Sequence, residues 1–189
     1  MGHSQADKAQ NRERILNEAA RQIRQGGLEN LSVGPLMESV NLTHGGFYGH
    51  FASRSELIAQ ALERALCEGE AKSRASDDPD KLPSATVMVR SYLSRTHRDA
   101  PDTGCAIAAL ISDVGRADAR CRAVMQPHIE TFIARAARVL GSGSENEAIL
   151  AVSAMVGALA ISRVITDPKR SDAILRAVRD AVIAMNAND

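Results

Sequence analysis

Apolar residues recur every three or four positions along almost the whole of this chain, a spacing that admits helices and little else. Ile15, Leu16, Ala19, Ala20 and Ile23 make one stripe, ended by Gly26-Gly27. A short second helix is expected from Ser32, a capping residue, with Pro35 tolerated in its first turn. A third begins at Thr43. A fourth begins at Ser53, where Ser53-Arg54-Ser55-Glu56 reads as a capping box ahead of Leu57, Ile58, Ala61, Leu62 and Leu66. The polar stretch 71–84 is the expected loop and domain boundary. Helices then follow over 85–98, 104–114 (with Thr103 as its cap) and 118–140, the last kinked at Pro127. Gly141-Ser142-Gly143 breaks the chain, Ser144 with Glu147 forms another capping box, and Asp167-Pro168 opens the final helix. No run alternates with period two, so the predicted fold is all-α, with about nine helices.

Composition narrows the function classes. Aromatic residues make up 3% of the 189 residues and Trp is absent, so Leu, Ile, Val, Ala and Met must build the core. The formal charge is +0, which leaves only local basic surface for any nucleic acid or membrane. Cys67, Cys105 and Cys121 include no C-x-x-C pair, which argues against a disulfide framework and for a reducing cytoplasm. Residues 1–14 are polar and read as no secretory leader. The longest nearly apolar run, Ala148 to Ser162, is shorter than the ~20 residues a spanning helix needs, so no membrane partner is expected.

The stretch NLTHGGFYGHF, residues 41–51, concentrates the chain's scarce ring residues: two of three Phe, one of two Tyr and two of five His. With Thr43 as N-cap, Leu42 and Phe47 hold the two positions of a hydrophobic staple, and Phe51 lies four residues beyond on the same inward face. The opposite arc carries His44, Gly45, Tyr48 and Gly49. Glycine costs roughly 1 kcal/mol relative to Ala inside a helix; close backbone approach to a partner is a physical return for that cost. Between Ser39 and Ser55 there is no acidic residue, while His44, His50 and Arg54 are present. A helix start bearing Thr, His and bare amides suits phosphates and base edges. The preceding helix joins it through Asn41, which tolerates the left-handed conformation of a tight turn. Helix, tight turn and short polar-faced helix make a helix-turn-helix.

LSVGPLMESVNLTHGGFYGHFASRSELIAQAL resembles the DNA-binding segment of the tetracycline-repressor (TetR) family of bacterial regulators. The resemblance covers about residues 10–65 and rests on Tyr48, Phe51 and Ser53-Arg54-Ser55-Glu56-Leu57 in their order and spacing. Asn41 stands where the family usually has a turn glycine, Val40 where it has alanine and Met37 where it has a small residue. The resemblance implies a helix-turn-helix domain over 8–52 and a ligand-binding and dimerisation domain over 53–189. Thr43, His44, Gly45 and Gly46 would face bases and phosphates, Tyr48, His50 and Arg54 would hold the DNA backbone, and Ser32 would cap its helix and touch a phosphate. Residues 1–64 balance seven Lys/Arg against seven Asp/Glu, so non-specific affinity should be modest.

The family's inducer pocket lies in the second domain; the expected lining is Met88, Tyr92, His97, Cys105, Leu110, Met125, His128 and Phe132. With few rings, that pocket suits an apolar or electrophilic molecule better than a caged cation. Cys105, in the first turn of a helix, is also a candidate thiol sensor. AILAVSAMVGALAIS, 148–162, is apolar on nearly all sides, so a partner must cover more than one face. The resemblance implies that this helix and the last one pair with their copies in a homodimer through Ala151, Met155, Ala158, Leu159, Ile174, Val178 and Val182. The expected function is a cytoplasmic transcriptional regulator, most simply a repressor, that binds a double-stranded palindromic operator and is released by a small-molecule inducer. No metal and no cofactor are called for. His44-Gly45-Gly46 faintly resembles an esterase oxyanion loop, but no G-x-S-x-G, P-loop or G-x-G-x-x-G accompanies it, so no enzyme is expected. A helical protein-binding adaptor explains the dimer face but not the glycine-rich segment.

Overall fold

A computed structural model describes residues 5–74, 84–141 and 144–185. The described residues form α-helices and one 3-10 helix, with no strand. The elements are α1 (Gln5–Gly26), α2 (Val33–Ser39), the 3-10 helix His44–Gly49, α3 (Arg54–Arg74), α4 (Ala85–Tyr92), α5 (Arg95–Asp99), α6 (Ala106–Arg116), α7 (Ala119–Leu140), α8 (Glu145–Val164) and α9 (Pro168–Met185). α1 lies on α2 and α3, and α3 continues onto α6 and α7. α8 packs against α6, α7 and α9. α3 is therefore shared between the N-terminal unit and the C-terminal helices.

The turn between α2 and the 3-10 helix is set by backbone geometry within a few residues. Asn41, with φ 56, is the non-glycine residue of positive φ among the described residues. Its N–H bonds Glu38 O at 2.9 Å, and the Leu42 N–H bonds Met37 O at 2.8 Å. These are the paired 5→2 and 6→1 bonds of a Schellman cap, with Asn41 in the position glycine usually takes. Arg14 of α1 adds a bond to Val40 O at 2.5 Å.

Several expectations at element ends are corrected. The third helix is 3-10 rather than α: Gly46 N–H bonds Thr43 O at 3.0 Å, and Thr43 provides no side-chain cap. Three glycines in six residues supply little helix propensity to oppose the tighter winding. Ser32 and Ser144 occupy N-cap positions without a side-chain bond. The Ser53 box forms one residue out of register, since Ser53 Oγ takes the Glu56 N–H at 3.1 Å while Glu56 reaches Ala52 N at 2.8 Å. The helix expected over 85–98 is two, because Ser94 starts α5 by accepting the His97 N–H at 3.1 Å. Residues 71–74 of the expected loop extend α3, and 75–83 lie outside the described residues, as do Ser142 and Gly143. Asp167 caps α9 as expected, accepting the Lys169 N–H at 2.9 Å.

α8 also corrects the length argument. It is 20 residues long with a window of mean hydropathy 1.7, which is long and apolar enough to cross a membrane by length and composition. Its packing is that of a core helix: Ala148, Ala151, Val152, Met155, Val156, Ala158, Leu159 and Ser162 are all buried within the chain.

Candidate DNA-binding surface and internal cavity

The two phenylalanines of residues 41–51 anchor the segment. Phe47 and Phe51 are buried, with ring centroids 5.6 Å apart and nearly stacked. Arg12 of α1 sits over the Phe51 ring at 5.1 Å. This fixes the outward arc. Thr43, His44, Gly45, Tyr48 and Gly49 are exposed, Gly46 is half-buried, and Tyr48 is 70% exposed. An added Cβ at Gly45 or Gly49 would meet nothing within 4 Å. Neither has positive φ, so neither packing nor backbone strain within this chain requires glycine there.

Two of the residues expected on DNA, Arg54 and His50, are engaged within the chain, and Ser32 lacks the capping bond expected of it. Arg54 directs its guanidinium inward, bonding Leu31 O at 2.8 Å, Glu29 O at 3.0 Å and Leu28 O at 3.2 Å. It braces the α1–α2 loop onto the start of α3 while the residue itself stays exposed. His50 is half-buried, and its Nδ1 has no hydrogen-bond partner among the described residues. Burial, then Lys8 and Arg12, hold its pKa below the usual 6.5, so it is a neutral packing residue at neutral pH. Ser32 is exposed at the start of α2 with its hydroxyl unused as a cap, which leaves it free to meet a phosphate.

A cavity of about 720 Å³ opens between α3, α4, α6 and α7, a size that suits a small ligand. Met88, Tyr92, His97, Cys105, His128 and Phe132 line it. Leu110 and Met125 do not: both are buried core residues, 0% and 2% exposed, that pack the helices together. Sequence reasoning missed Thr131, Arg135 and Arg138, which continue the His128–Phe132 face of α7 at helical spacing, and Val87 and Ser91 beside Met88 and Tyr92. That spacing is the signal that could have found them.

His97 organises the inner wall. Its Nδ1 lies 2.7 Å from Tyr92 O and its Nε2 accepts the Cys105 N–H at 2.9 Å, an arrangement that fixes the Nδ1–H tautomer. Burial lowers its pKa, with Arg163 acting in the same direction. Gly104 permits this approach, since a Cβ there would lie 2.9 Å from both Ala100 O and His97 Cδ2. Cys105 is the N-cap residue of α6, not a first-turn residue after a Thr103 cap, because His97 consumes its N–H. Tyr92 is half-buried beside it, and its buried hydroxyl has no well-formed hydrogen bond among the described residues. Burial foremost, then the Cys105 thiol, raise the Tyr92 pKa well above 10.0. Cys121 is buried in α7 and its pKa is pushed up to about 11 by that burial, which makes it unreactive.

The dimer face expected from the sequence is largely interior. Ala151, Met155, Ala158, Leu159 and Val182 are each 3% exposed or less, while Ile174 and Val178 are half-buried. The apolar residues that α8 turns outward are Ile149, Leu150, Ile161 and Val164, with Ala154 and Gly157 between them. Beyond Gly157 an added Cβ would find open space.

A short helix locked by a left-handed turn, ahead of a helical domain with its own cavity, defines a helix-turn-helix regulator. Residues 15–61 match the family model described as bacterial regulatory proteins, tetR family. The N-terminal domain belongs to that family, and the whole chain shares the fold of its solved members. A transcriptional regulator of the TetR family from Cytophaga hutchinsonii superposes with a TM-score of 0.78 at 18% identity, over 97% of this chain and 98% of that one. Escherichia coli NemR in its reduced form gives 0.73 at 18% identity over 92% and 95%. A putative transcriptional regulator from Saccharomonospora viridis, solved in complex with choline, gives 0.74 at 13% identity over 91% and 95%. No curated protein matches the chain in sequence.

Proposed function

We propose that the chain is a homodimeric repressor that reads a palindromic operator and is released when a small molecule enters the cavity. The observation that carries this reading is the uncovered face of Thr43, His44, Gly45 and Tyr48, where an added Cβ on Gly45 would meet nothing inside the protein. Thr43, His44 and the glycine backbone approach base edges and phosphates in the major groove, and Tyr48 and Ser32 bond the DNA backbone. Arg54 and His50 support that face from behind. Two copies joined through Leu150, Ile161 and Val164 of α8 with the outer side of α9 place the two faces ~34–36 Å apart, one DNA turn.

The effector is an apolar small molecule, with an acidic group tolerated: Val87, Met88, Ile107 and Phe132 supply the body of the site, and Lys72, Arg135 and Arg138 outnumber Glu70. Its signal passes through the 100–105 loop. Ala100, Thr103 and Cys105 line the cavity, and buried Arg24 of α1 bonds Asp102 O at 2.5 Å, Ala65 O at 3.3 Å and Glu68 at 2.9 Å. A ligand that shifts this loop moves α1 and α3 together. A coupling of ~1–3 kcal/mol is enough for a 5- to 150-fold loss of operator affinity. A second reading, oxidation or alkylation sensed by Cys105, is favoured by one feature, its position in the cavity wall against Tyr92.

Fluorescence anisotropy with DNA from upstream of the protein's own gene tests the proposal. Tight binding that resists unrelated competitor DNA and weakens with salt is expected. Equal, weak binding to specific and unrelated genomic fragments would overturn it.

A further inference from the structure

A second cluster of chemically capable side chains joins α3 to α7. Glu63, Cys67 and Glu70 succeed one another at four- and three-residue spacing, which puts them on one face of α3. His128 of α7 lies against that face. Its Nδ1 is 2.5 Å from Glu70 Oε1 and its Nε2 is 3.3 Å from Glu63 Oε2. Cys67 Sγ is 3.4 Å from the other Glu63 oxygen. One ligand atom each from Glu63, Cys67 and His128 lie within 4.8 Å of one another.

We propose that Glu63, Cys67 and His128 form a binding site for a divalent transition-metal ion of the zinc class, with Glu70 orienting His128. Bonds of ~2.0–2.3 Å to a tetrahedral ion set its ligand atoms roughly 3.5 Å apart. Glu63 reaches Cys67 with one carboxylate oxygen at 3.4 Å and His128 with the other at 3.3 Å. One ligand atom from each residue already lies within 4.8 Å of the other two, so side-chain rotations of about an ångström close the set on one ion. A thiolate, an imidazole and a carboxylate select zinc, cobalt or nickel over magnesium and calcium, which take oxygen ligands. Glu70 supplies what a metal-bound histidine almost always has, a carboxylate on its other ring nitrogen. That contact fixes Nδ1–H and turns the Nε2 lone pair toward Glu63 and Cys67. Three protein ligands leave the fourth position to water or a small molecule, the arrangement of an open site. Glu63 and Cys67 are exposed, so an ion can enter from solvent. On binding, Cys67 releases its proton to solvent and coordinates as thiolate. The ion would then tie α3 to α7, and its binding is measured without DNA, independently of the regulator reading.

The test is titration of the full-length, metal-stripped protein with cobalt(II), followed by displacement with zinc. One ion per chain is expected, with thiolate-to-cobalt charge-transfer absorption. Cys67→Ser should abolish that absorption and His128→Gln should abolish stoichiometric uptake, while Cys105→Ser and Cys121→Ser leave both intact. Glu70→Ala should weaken binding about 10- to 100-fold. Circular dichroism of each variant separates lost coordination from lost folding. Three results would overturn the site: no stoichiometric uptake by the wild type, undiminished absorption in Cys67→Ser, or absorption that follows Cys105. Any of these would leave His128 as a hydrogen-bonded link between Glu63 and Glu70.

Discussion

Gly45→Ala separates a residue kept for folding from one kept for contact. Nothing lies within 4 Å of the added methyl, and Gly45 does not have positive φ. The substitution should therefore stabilise the chain by about 0.4–1 kcal/mol, because alanine gives up less conformational freedom on folding. For a chain of this size that raises the thermal midpoint by roughly 1–4 °C. Operator binding should move the other way. The methyl extends ~1.5 Å from a backbone that meets base edges or phosphates at van der Waals contact, and a twofold complex carries the intrusion in both half-sites. Retreat from the groove would lose at least one hydrogen bond per half-site, so a drop of tenfold or more, about 1.4 kcal/mol, is expected.

Gly115→Ala, on the exposed side of α6, is the control. It too has open space around the new methyl and should raise the midpoint while leaving DNA affinity unchanged. Differential scanning fluorimetry and operator anisotropy on the same preparations give both numbers. If Gly45→Ala binds the operator as tightly as wild type, the bare glycine face does not approach DNA, and the argument from its open space is wrong.

Arg54→Ala should cost about 1–3 kcal/mol of stability, since three carbonyls lose a charged donor; an unchanged midpoint with reduced operator affinity would return Arg54 to the phosphate role. His97 has a depressed pKa, so the unfolded chain takes up its proton first: stability is full above pH 6.5 and falls as pH drops below it. His97→Gln should flatten that part of a midpoint-versus-pH curve, and an unaltered slope would mean that His97 is not the titrating group. Leu110→Ala should destabilise by about 2–5 kcal/mol as a core cavity, whereas Met88→Ala should cost less and change effector response; equal stability losses would place Met88 in the core as well. Ile161→Glu should give a folded monomer by light scattering, and a persisting dimer would move the interface off the outer face of α8.

The sequence was most informative where neighbours in the chain determine the structure. The α2 turn depends on Asn41 accepting positive φ and on two backbone bonds within the six residues Met37 to Leu42, so its form could be read locally. Phe47 and Phe51 went inward because their spacing left them no other face. Six of the eight residues expected to line the cavity do so, since Tyr92, His97 and their neighbours lie near helix ends that surround it. Leu110 and Met125 misled because an aliphatic residue at helical spacing looks the same whether it faces a cavity or a neighbouring helix. Arg54 misled for a different reason. Its partners are the carbonyls of Leu28, Glu29 and Leu31, and backbone acceptors carry no side-chain signature.

α8 and the Glu63–His128 cluster were hidden by two distinct physical limits. Periodicity locates the buried face of a helix only when the other face is polar. From Ala148 to Ser162 both faces are apolar, so the pattern says that two partners exist without saying which side each takes. α6, α7 and α9 resolve this by occupying the side of Met155 and Leu159, which leaves Leu150, Ile161 and Val164 for the second partner. The cluster is the opposite case, with strong chemistry and no local pattern. Glu63 and Cys67 look like two surface residues of an amphipathic helix until a chain separation of 65 residues brings His128 beside Glu63. Only the packing of α3 on α7 turns those separate side chains into a set of ligands. The same packing joins α3, the helix that follows the recognition segment, to the α7 wall of the cavity, so the contacts that hide the cluster from the sequence also give it a physical link to the helix that leaves the DNA-binding unit.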